Sequence, residues 1–421
     1  MSKHAISRKK NQEAITAGQR TLHLASVIQR DLHAFIIEEG MKVLQEVLRQ
    51  DQEALCGPAY TRGSPGSPQR WGRTSGRLVM SGRRVIVDKP RVRQNGHEVK
   101  LPTWEEFSDE DPLNKRTTEQ MILGVSTRDY DRSVESVPEE LSPHGASKSA
   151  ASRRFVEQTR QRLEQWQKRD ISKMHVVAVM LDAIEVDDHA VVVALSIDQA
   201  GRKHALGLWL GATENATVCG ALLDNLIERG LDPQLSYLFI IDGSKALRKA
   251  IRERFGRRAL VQRCQEHKRR NVLSHLPERL HPSTAKTMRD AYQSKSRSTA
   301  KRRLLQLASQ LASDHPDAAE SLREGLDETL TLKDMGLPSA LERTLSTTNS
   351  IENMNSNIRR TLRRIKRWRD GTMIKRWVAI ALTEAERGFR RLRGFRGMPT
   401  LVAAVRSTEQ GHRVDSRQEA A

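Results

Sequence analysis

Apolar residues recur along this chain at two different spacings, and the change of spacing divides it. Leu24, Ile28, Leu32, Phe35 and Ile36 lie three or four apart, and Val43, Leu44, Val47 and Leu48 continue the pattern after Gly40. Residues 12–55 are therefore expected as helix, ended by Gly57-Pro58. Residues 57–76, rich in Gly, Pro, Ser and Arg, read as a mobile basic loop. Leu78-Val-Met80 and Val85-Ile-Val87 flank Ser81-Gly82-Arg83-Arg84, a hairpin pattern with arginines at its tip, and 103–115 reads as an acidic loop. Helical spacing returns at Thr117. Gly124-Val-Ser-Thr-Arg128 makes a small-residue turn with an N-cap at Ser126 or Thr127, and a second helix runs to about Val137. Pro143-His-Gly145 breaks the chain, and Ser147-Lys-Ser-Ala-Ala-Ser-Arg-Arg154 opens a long helix to about Arg169. Two short helices, a turn and a third helix that starts with Ser, Lys and Arg fit a helix-turn-helix reader; a helical linker with a solvated basic face is the plainer alternative.

From residue 175 the pattern shortens to strand-length runs. Val176–Leu181, Ala190–Ile197 and His204–Leu210 follow one another, with Asp198-Gln-Ala-Gly201 as the turn between the last two. Thr213 or Asn215 can cap a helix that ends at Arg229-Gly230. A strand (Tyr237–Ile241), a helix (Lys245–Phe255), a short strand (Ala259–Gln262) and a helix from Glu266 complete the order. Three meandering strands followed by alternating helix and strand indicate a mixed α/β sheet, and a ribonuclease H-like layer fits this order. Residues 276–340 read as an all-helical insertion, and the last helices run from about Ser350 to Arg393. The expected division is 1–115 (N-terminal helical and hairpin region), 116–170 (helix-turn-helix-like segment), 171–275 (first part of the core), 276–340 (insertion), 341–395 (C-terminal helices of the core) and 396–421 (tail).

Charge changes the picture. Lys and Arg number 72 against 52 Asp and Glu, giving a net charge of +20. Such an excess favours a polyanionic partner, nucleic acid or an anionic membrane. No apolar run approaches 18 residues, so no membrane span is expected, and the N-terminus lacks the apolar stretch of a secretory signal. Three distant cysteines, Cys56, Cys219 and Cys264, suggest free thiols in a reducing cytoplasm. Aromatics, at 4%, are too few for the stacking platforms of single-strand binders.

Against this basic background three acids stand out. Asp182 interrupts the apolar run 175–181, Asp242 ends Leu238-Phe-Ile-Ile241, and Glu352 lies in Thr347-Thr-Asn-Ser-Ile-Glu-Asn-Met-Asn355. Asp-Gly at a strand's carboxyl end is where α/β sheets build ligand sites, although it is also an ordinary turn. Glu185, Asp187 and Asp188 compete with Asp182 but fall in the predicted turn after it. Ile351, Met354, Ile358, Leu362 and Ile365 form a helical stripe for the core, which sets Glu352 above Asn355, Ser356 and Arg359 on another face. Three converging acids can hold two Mg²⁺ ions and act at phosphorus. From Ser356 to Arg369 there are seven Arg or Lys and no acid, a run that an adjoining phosphate backbone would relieve. Cys264-Gln-Glu-His267 offers two metal-ligand types, but structural zinc needs four and no second Cys/His pair is near. A role beside the acidic cluster is the better expectation, while His275 and His281 read as surface residues.

Asp242-Gly-Ser-Lys-Ala-Leu, Gln262-Arg-Cys-Gln-Glu-His-Lys-Arg-Arg-Asn271 and Thr347–Asn355 together resemble the Mutator-type bacterial insertion-sequence transposases, which are DDE recombinases. Gly124–Arg128 and Ser147–Arg153 resemble that family's N-terminal segment. The resemblance implies a ribonuclease H-like core and DNA cleavage plus strand transfer with two Mg²⁺ (or Mn²⁺) ions. Asp182, Asp242 and Glu352 would be the metal ligands, with Cys264 and His267 matching the family's Cys-x-x-His signature in the catalytic site. Lys148, Arg153 and Arg154, with Arg359, Arg360 and Arg363, are the candidate DNA contacts. Double-stranded DNA, both terminal inverted repeats and target, would be the partner of a homo-oligomer in the bacterial cytoplasm at the nucleoid, with no membrane role. The rival readings are a non-catalytic DNA-binding protein on a degenerate scaffold and a ribonuclease H-like nuclease without strand transfer.

Overall fold

A computed structural model of the chain describes residues 35–60, 64–80, 83–108, 112–133 and 147–418. The expectations for 12–34, the hairpin tip Ser81-Gly82 and the segment 134–146 lie outside the described residues. Helix predominates, and the chain divides into two compact units, Met1–Thr159 and Arg160–Ala421.

In the first unit, helix α1 (35–56) ends at Cys56, before Gly57 at φ +76°. It packs Ile37 and Met41 on Leu78, Val85 and Val87 of a hairpin. The hairpin strands, β1 (Gln69–Met80) and β2 (Arg83–Gln94), are longer than their apolar centres, so residues 69–76 are strand and not loop. Their polar side chains face water while the backbone ladder with β2 holds them extended. Asn95-Gly96, both at positive φ, turns β2 into β3 (His97–Val99). Of the acidic stretch expected as a loop, 103–108 lies in α2 (Pro102–Ser108) and 112–115 in α3 (Pro112–Leu123), each helix beginning at a proline whose fixed φ suits a first helical turn, while 109–111 lies outside the described residues. A short helix α4 (Tyr130–Ser133) follows, and the Ser126 hydroxyl accepts from the Asp129 N–H just before it. Helix α5 (Lys148–Lys168) runs out of this unit into the next.

The second unit is built on a five-stranded mixed sheet of order β6-β5-β4-β7-β8. Strands β4 (Val176–Val186), β5 (His189–Asp198) and β6 (Lys203–Gly211) form an antiparallel meander; β7 (Tyr237–Ile241) pairs parallel with β4, and β8 (Ala259–Arg263) parallel with β7. Helix α6 (Ala216–Glu228) crosses between β6 and β7, capped by Asn215 Oδ1 accepting from Val218 N. Helix α7 (Lys245–Phe255) crosses between β7 and β8, capped by Ser244. Both pack Leu222, Leu226, Ile251 and Phe255 on one sheet face. The other face receives α13 (Asn349–Leu362) and α14 (Gly371–Arg387), with Ile351, Met354, Ile358, Val378 and Leu382 in its core. β5, with both faces covered, is apolar without alternation from Ala190 to Leu195. Ile358 is fully buried, so Ile358→Ala is expected to cost about 2–5 kcal/mol.

After β8 the chain leaves the sheet through α8 (Gln265–Ser274), then α9 (His281–Tyr292), α10 (Arg297–Leu311), α11 (Pro316–Arg323) and a 3-10 stretch, Asp327–Met335. This helical insertion has its own core of Val272, Met288, Leu304, Leu322 and Leu330. His281, expected at the surface, is half-buried there with Nε2 2.9 Å from the Leu276 carbonyl. A short α12 (Ser339–Leu345) returns to α13. The segment expected as a tail forms α15 (Met398–Gln418), whose Met398, Leu401 and Val405 join the sheet core.

Candidate active site

The sheet's hydrogen-bond register assembles the site. Met180 pairs with Ile240 across β4 and β7, and Ile241 pairs with Arg263 across β7 and β8. Two residues beyond the first pair sets Asp182 beside Asp242; one residue beyond the second sets Cys264 beside Asp242. The Cys264 N–H donates to the Ile241 carbonyl at 2.8 Å, which carries the register that far. Asp242 and Cys264 thus stand just past the carboxyl ends of the parallel strands β7 and β8, where the next helices begin, level with Asp182 inside the longer β4.

Each side chain is held from its own element. Asp242 Oδ1 accepts from Ser244 N at 2.8 Å, locking the turn into α7. Gly243 between them sits at φ +116°, and a Cβ there would lie 2.1 Å from Arg263 Nε. Asp182 Oδ1 accepts from Ala183 N at 3.0 Å, and Oδ2 accepts from Asn355 Nδ2 at 2.7 Å. Burial and the neighbouring Asp242 push the Asp182 carboxyl up to about 6, against the opposing pull of these two hydrogen bonds and His267.

Helix α13 brings Glu352, and α8 brings His267. Cys264 caps α8, its sulfur accepting from His267 N at 3.5 Å and from Thr348 N at 3.4 Å. Burial pushes the thiol up, but the contacts with His267 and Thr348 outweigh it and the net direction is down. Thr348 Oγ1 lies 2.6 Å from Glu352 Oε1, 3.2 Å from His267 Nδ1 and 3.4 Å from Cys264 Sγ. One hydroxyl proton cannot serve three acceptors. The shortest contact is to a carboxylate, so the proton points to Glu352 and the oxygen accepts from His267 Nδ1–H. The Cys264 sulfur raises the His267 pKa, burial opposes it, and Glu352 and Asp242 add to the rise. A chain His267–Thr348–Glu352 therefore orders the imidazole and the carboxylate together.

Cys264 Sγ, a His267 ring nitrogen and a Glu352 oxygen lie within 4.8 Å of one another, and this is the compact three-ligand set among the described residues. The aspartates join it from the strand row. Two features fit a divalent cation. Asp182 and Asp242 are adjacent carboxylates whose repulsion a cation would remove, and Asn355, fully buried beside Asp182, leaves its Oδ1 without a hydrogen-bond partner.

Residues 15–391 match the family described as Transposase, Mutator family. The chain belongs to that family. It is 28% identical over 332 residues to the transposase for insertion sequence element ISRM5 of Rhizobium meliloti, covering 76% of this chain and 79% of that protein. It is 27% identical over 311 residues to the transposase for insertion sequence element IS256 in transposon Tn4001 of Staphylococcus aureus, covering 70% and 75%. A probable insertion-sequence transposase of Corynebacterium diphtheriae is 29% identical over 237 residues, covering 54% and 67%.

In this transposase the five expected site residues, Asp182, Asp242, Cys264, His267 and Glu352, stand together. Glu185, expected in a turn, lies instead within β4; it lines a neighbouring cavity with Asp187, Asp188, Glu214 and Arg359. Arg359, Arg360 and Arg363 are exposed at the end of α13. Lys148 and Arg153 are exposed on α5, whereas Arg154 is half-buried. Sequence reasoning missed Thr348, although it stands four residues before Glu352, one helical turn away. It also missed Lys268, which is fully buried and donates to the Glu324 carbonyl at 2.6 Å.

Proposed function

We propose that this transposase is a DDE-type enzyme with a ribonuclease H-like core. On this reading it binds the terminal inverted repeats of an insertion sequence, cleaves DNA there and joins the freed end to target DNA. The in-register row of Asp182 and Asp242, met by Glu352 from α13, carries the proposal. The strand order supports it, with a three-strand antiparallel meander and two parallel strands beyond its first member.

Asp182, Asp242 and Glu352 would hold divalent ions, which when bound activate water and neutralise charge on a phosphate. The protein's own part is positioning and proton control. Asn355 fixes the Asp182 carboxylate by its 2.7 Å hydrogen bond. Thr348 fixes Glu352 and His267 relative to each other. His267, whose pKa the Cys264 sulfur raises, would give a proton to the departing 3′ oxygen. The exposed arginines 359, 360 and 363 supply cations for the DNA backbone. Two element ends need two such sites, so the working form on DNA is an oligomer. No helix among the described residues is long and apolar enough to cross a membrane.

A joining assay tests the proposal. A labelled end fragment incubated with the protein, Mg²⁺ and a target plasmid should yield covalently joined product. Nicked fragment without joined product would make the protein a nuclease, and an intact fragment bound but never cut would make it a DNA-binding protein only.

A further inference from the structure

A second cavity opens on the other side of α13, and of its lining the chemistry above uses Arg360 alone. Asn353, Asn357 and Arg360 follow one another at helical spacing, about 100° round the helix from Glu352. They face Lys203 at the start of β6 and Phe389 and Arg390 beyond the end of α14. The cavity is open to solvent on one side and has a volume of about 520 Å³, within the range of about 300–1,000 Å³ usual for small-ligand pockets.

Its charge is unbalanced. Lys203, Arg360 and Arg390 bring three cations. The acid on the wall, Glu384, is already engaged by Arg387 at 2.9 Å. Lys203 is half-buried with its pKa lowered by that burial, and among the described residues no carboxylate pairs with it. Its Nζ lies 5.5 Å above the Phe389 ring, and among the described residues Arg360 reaches only the Asn357 amide oxygen at 3.2 Å. A half-dehydrated ammonium without a counter-ion is unfavourable, and an entering anion would recover the loss.

Shape and lining narrow the ligand. A duplex backbone lies along an open basic surface and has no need of a cavity. One unstacked nucleotide would fill it, combining a phosphate, a ring to lie against an aromatic and an edge with donors and acceptors. Asn353 and Asn357 carry amide groups of both kinds on one wall, the side chains that read exposed base edges. We propose that this cavity receives a single unpaired nucleotide of the DNA strand next to the scissile bond. Its phosphate meets Lys203, Arg360 and Arg390, its base lies beside Phe389, and its edge meets Asn353 and Asn357. The proposal rests on the reading of the neighbouring site as one that cleaves DNA. One aromatic at one pocket also suits a chain with 4% aromatics, too few for a row of stacking platforms.

Binding of the full chain to two probes tests it: a blunt duplex, and the same duplex with a short 3′ single-stranded extension containing 2-aminopurine. The wild type should prefer the extended duplex by at least about fivefold, the lower end for one stacked base, and the fluorophore's signal should change on binding. Lys203→Gln and Asn357→Ala should each erase most of that preference while blunt-duplex affinity stays within about twofold. Should either variant melt early, Asn357→Asp, of equal size and opposite electrostatic effect on a phosphate, should also lose the preference. Equal affinity of the wild type for both probes, or preference retained in folded variants, would overturn the proposal and leave the cleavage site untouched. Failure to bind either probe would remove the DNA reading and the nucleotide pocket with it.

Discussion

Replacing Asp182 by Asn should make the second unit more stable while disabling it. Burial and Asp242 move this carboxyl from 3.8 to about 6. At about 1.36 kcal/mol per unit, that gap corresponds to about 3 kcal/mol. The fold favours the protonated form, so between these two values the folded state keeps a proton that the unfolded chain has released. Stability therefore falls as pH rises through that window, and the full penalty is present above pH 6. Asp182→Asn removes the charge and keeps the shape. Asn355 can turn its amide so that its unpartnered Oδ1 accepts the new N–H. In chelator near pH 7.5 the variant should melt higher by roughly 6 °C or more, taking about 2–4 °C per kcal/mol for a unit of this size. Near pH 4 the difference should shrink to a small residue. Scanning calorimetry at both pH values, with and without Mg²⁺, makes the comparison; Mg²⁺ should raise the wild type more than the variant. A variant that melts lower than wild type at pH 7.5, or a gap unchanged at pH 4, would refute the reasoning.

Three further outcomes follow from the same geometry. Thr348→Val keeps the shape of a buried side chain but severs His267 from Glu352; strand cleavage should fall tenfold or more, and an unaltered rate would show the bridge to be idle. Lys268→Met leaves the Ser321 and Glu324 carbonyls without their donor, so urea unfolding should register a loss of about 2–4 kcal/mol, and an unchanged midpoint would contradict it. Gly243→Ala places a Cβ at positive φ against Arg263; a loss of about 1–3 kcal/mol and weaker cleavage are expected, because Arg263 must shift while Asp242 is the adjoining residue.

Where local chemistry decides the structure, the chain was readable. The apolar run Tyr237–Ile241 with a following Ser cap is the strand and helix start that those residues predict. The stripe of α13 is buried as its spacing requires. Residues 69–76 read as loop because their strand is held by backbone pairing to β2 and carries few apolar side chains. Asn95-Gly96, a strong two-residue turn signal, was there to be used. α15 hid because few core contacts anchor a largely polar helix. In the site, Asp182, Asp242 and Glu352 were visible as acids in apolar or basic settings, but intervals of 60 and 110 residues do not reveal contact. Family likeness joined them in the sequence; in space the strand register joins Asp182 and Asp242, and α13 brings Glu352. Lys268 sits in the run Lys268-Arg-Arg, which reads as solvated, and only tertiary packing shows it buried.

The most direct test of the account is the rate at which the full protein nicks a supercoiled plasmid carrying the element's two ends, in Mg²⁺, for the wild type and for Asp182→Asn, Asp242→Asn and Glu352→Gln. Wild type should leave 3′-hydroxyl nicks at the element ends. Each substitution should slow nicking by at least about a hundredfold, the scale of removing one preorganised charge-stabilising group, while end binding persists. Nicking at the wild-type rate by Asp242→Asn or Glu352→Gln would show that the row of carboxylates is not where this protein cuts DNA.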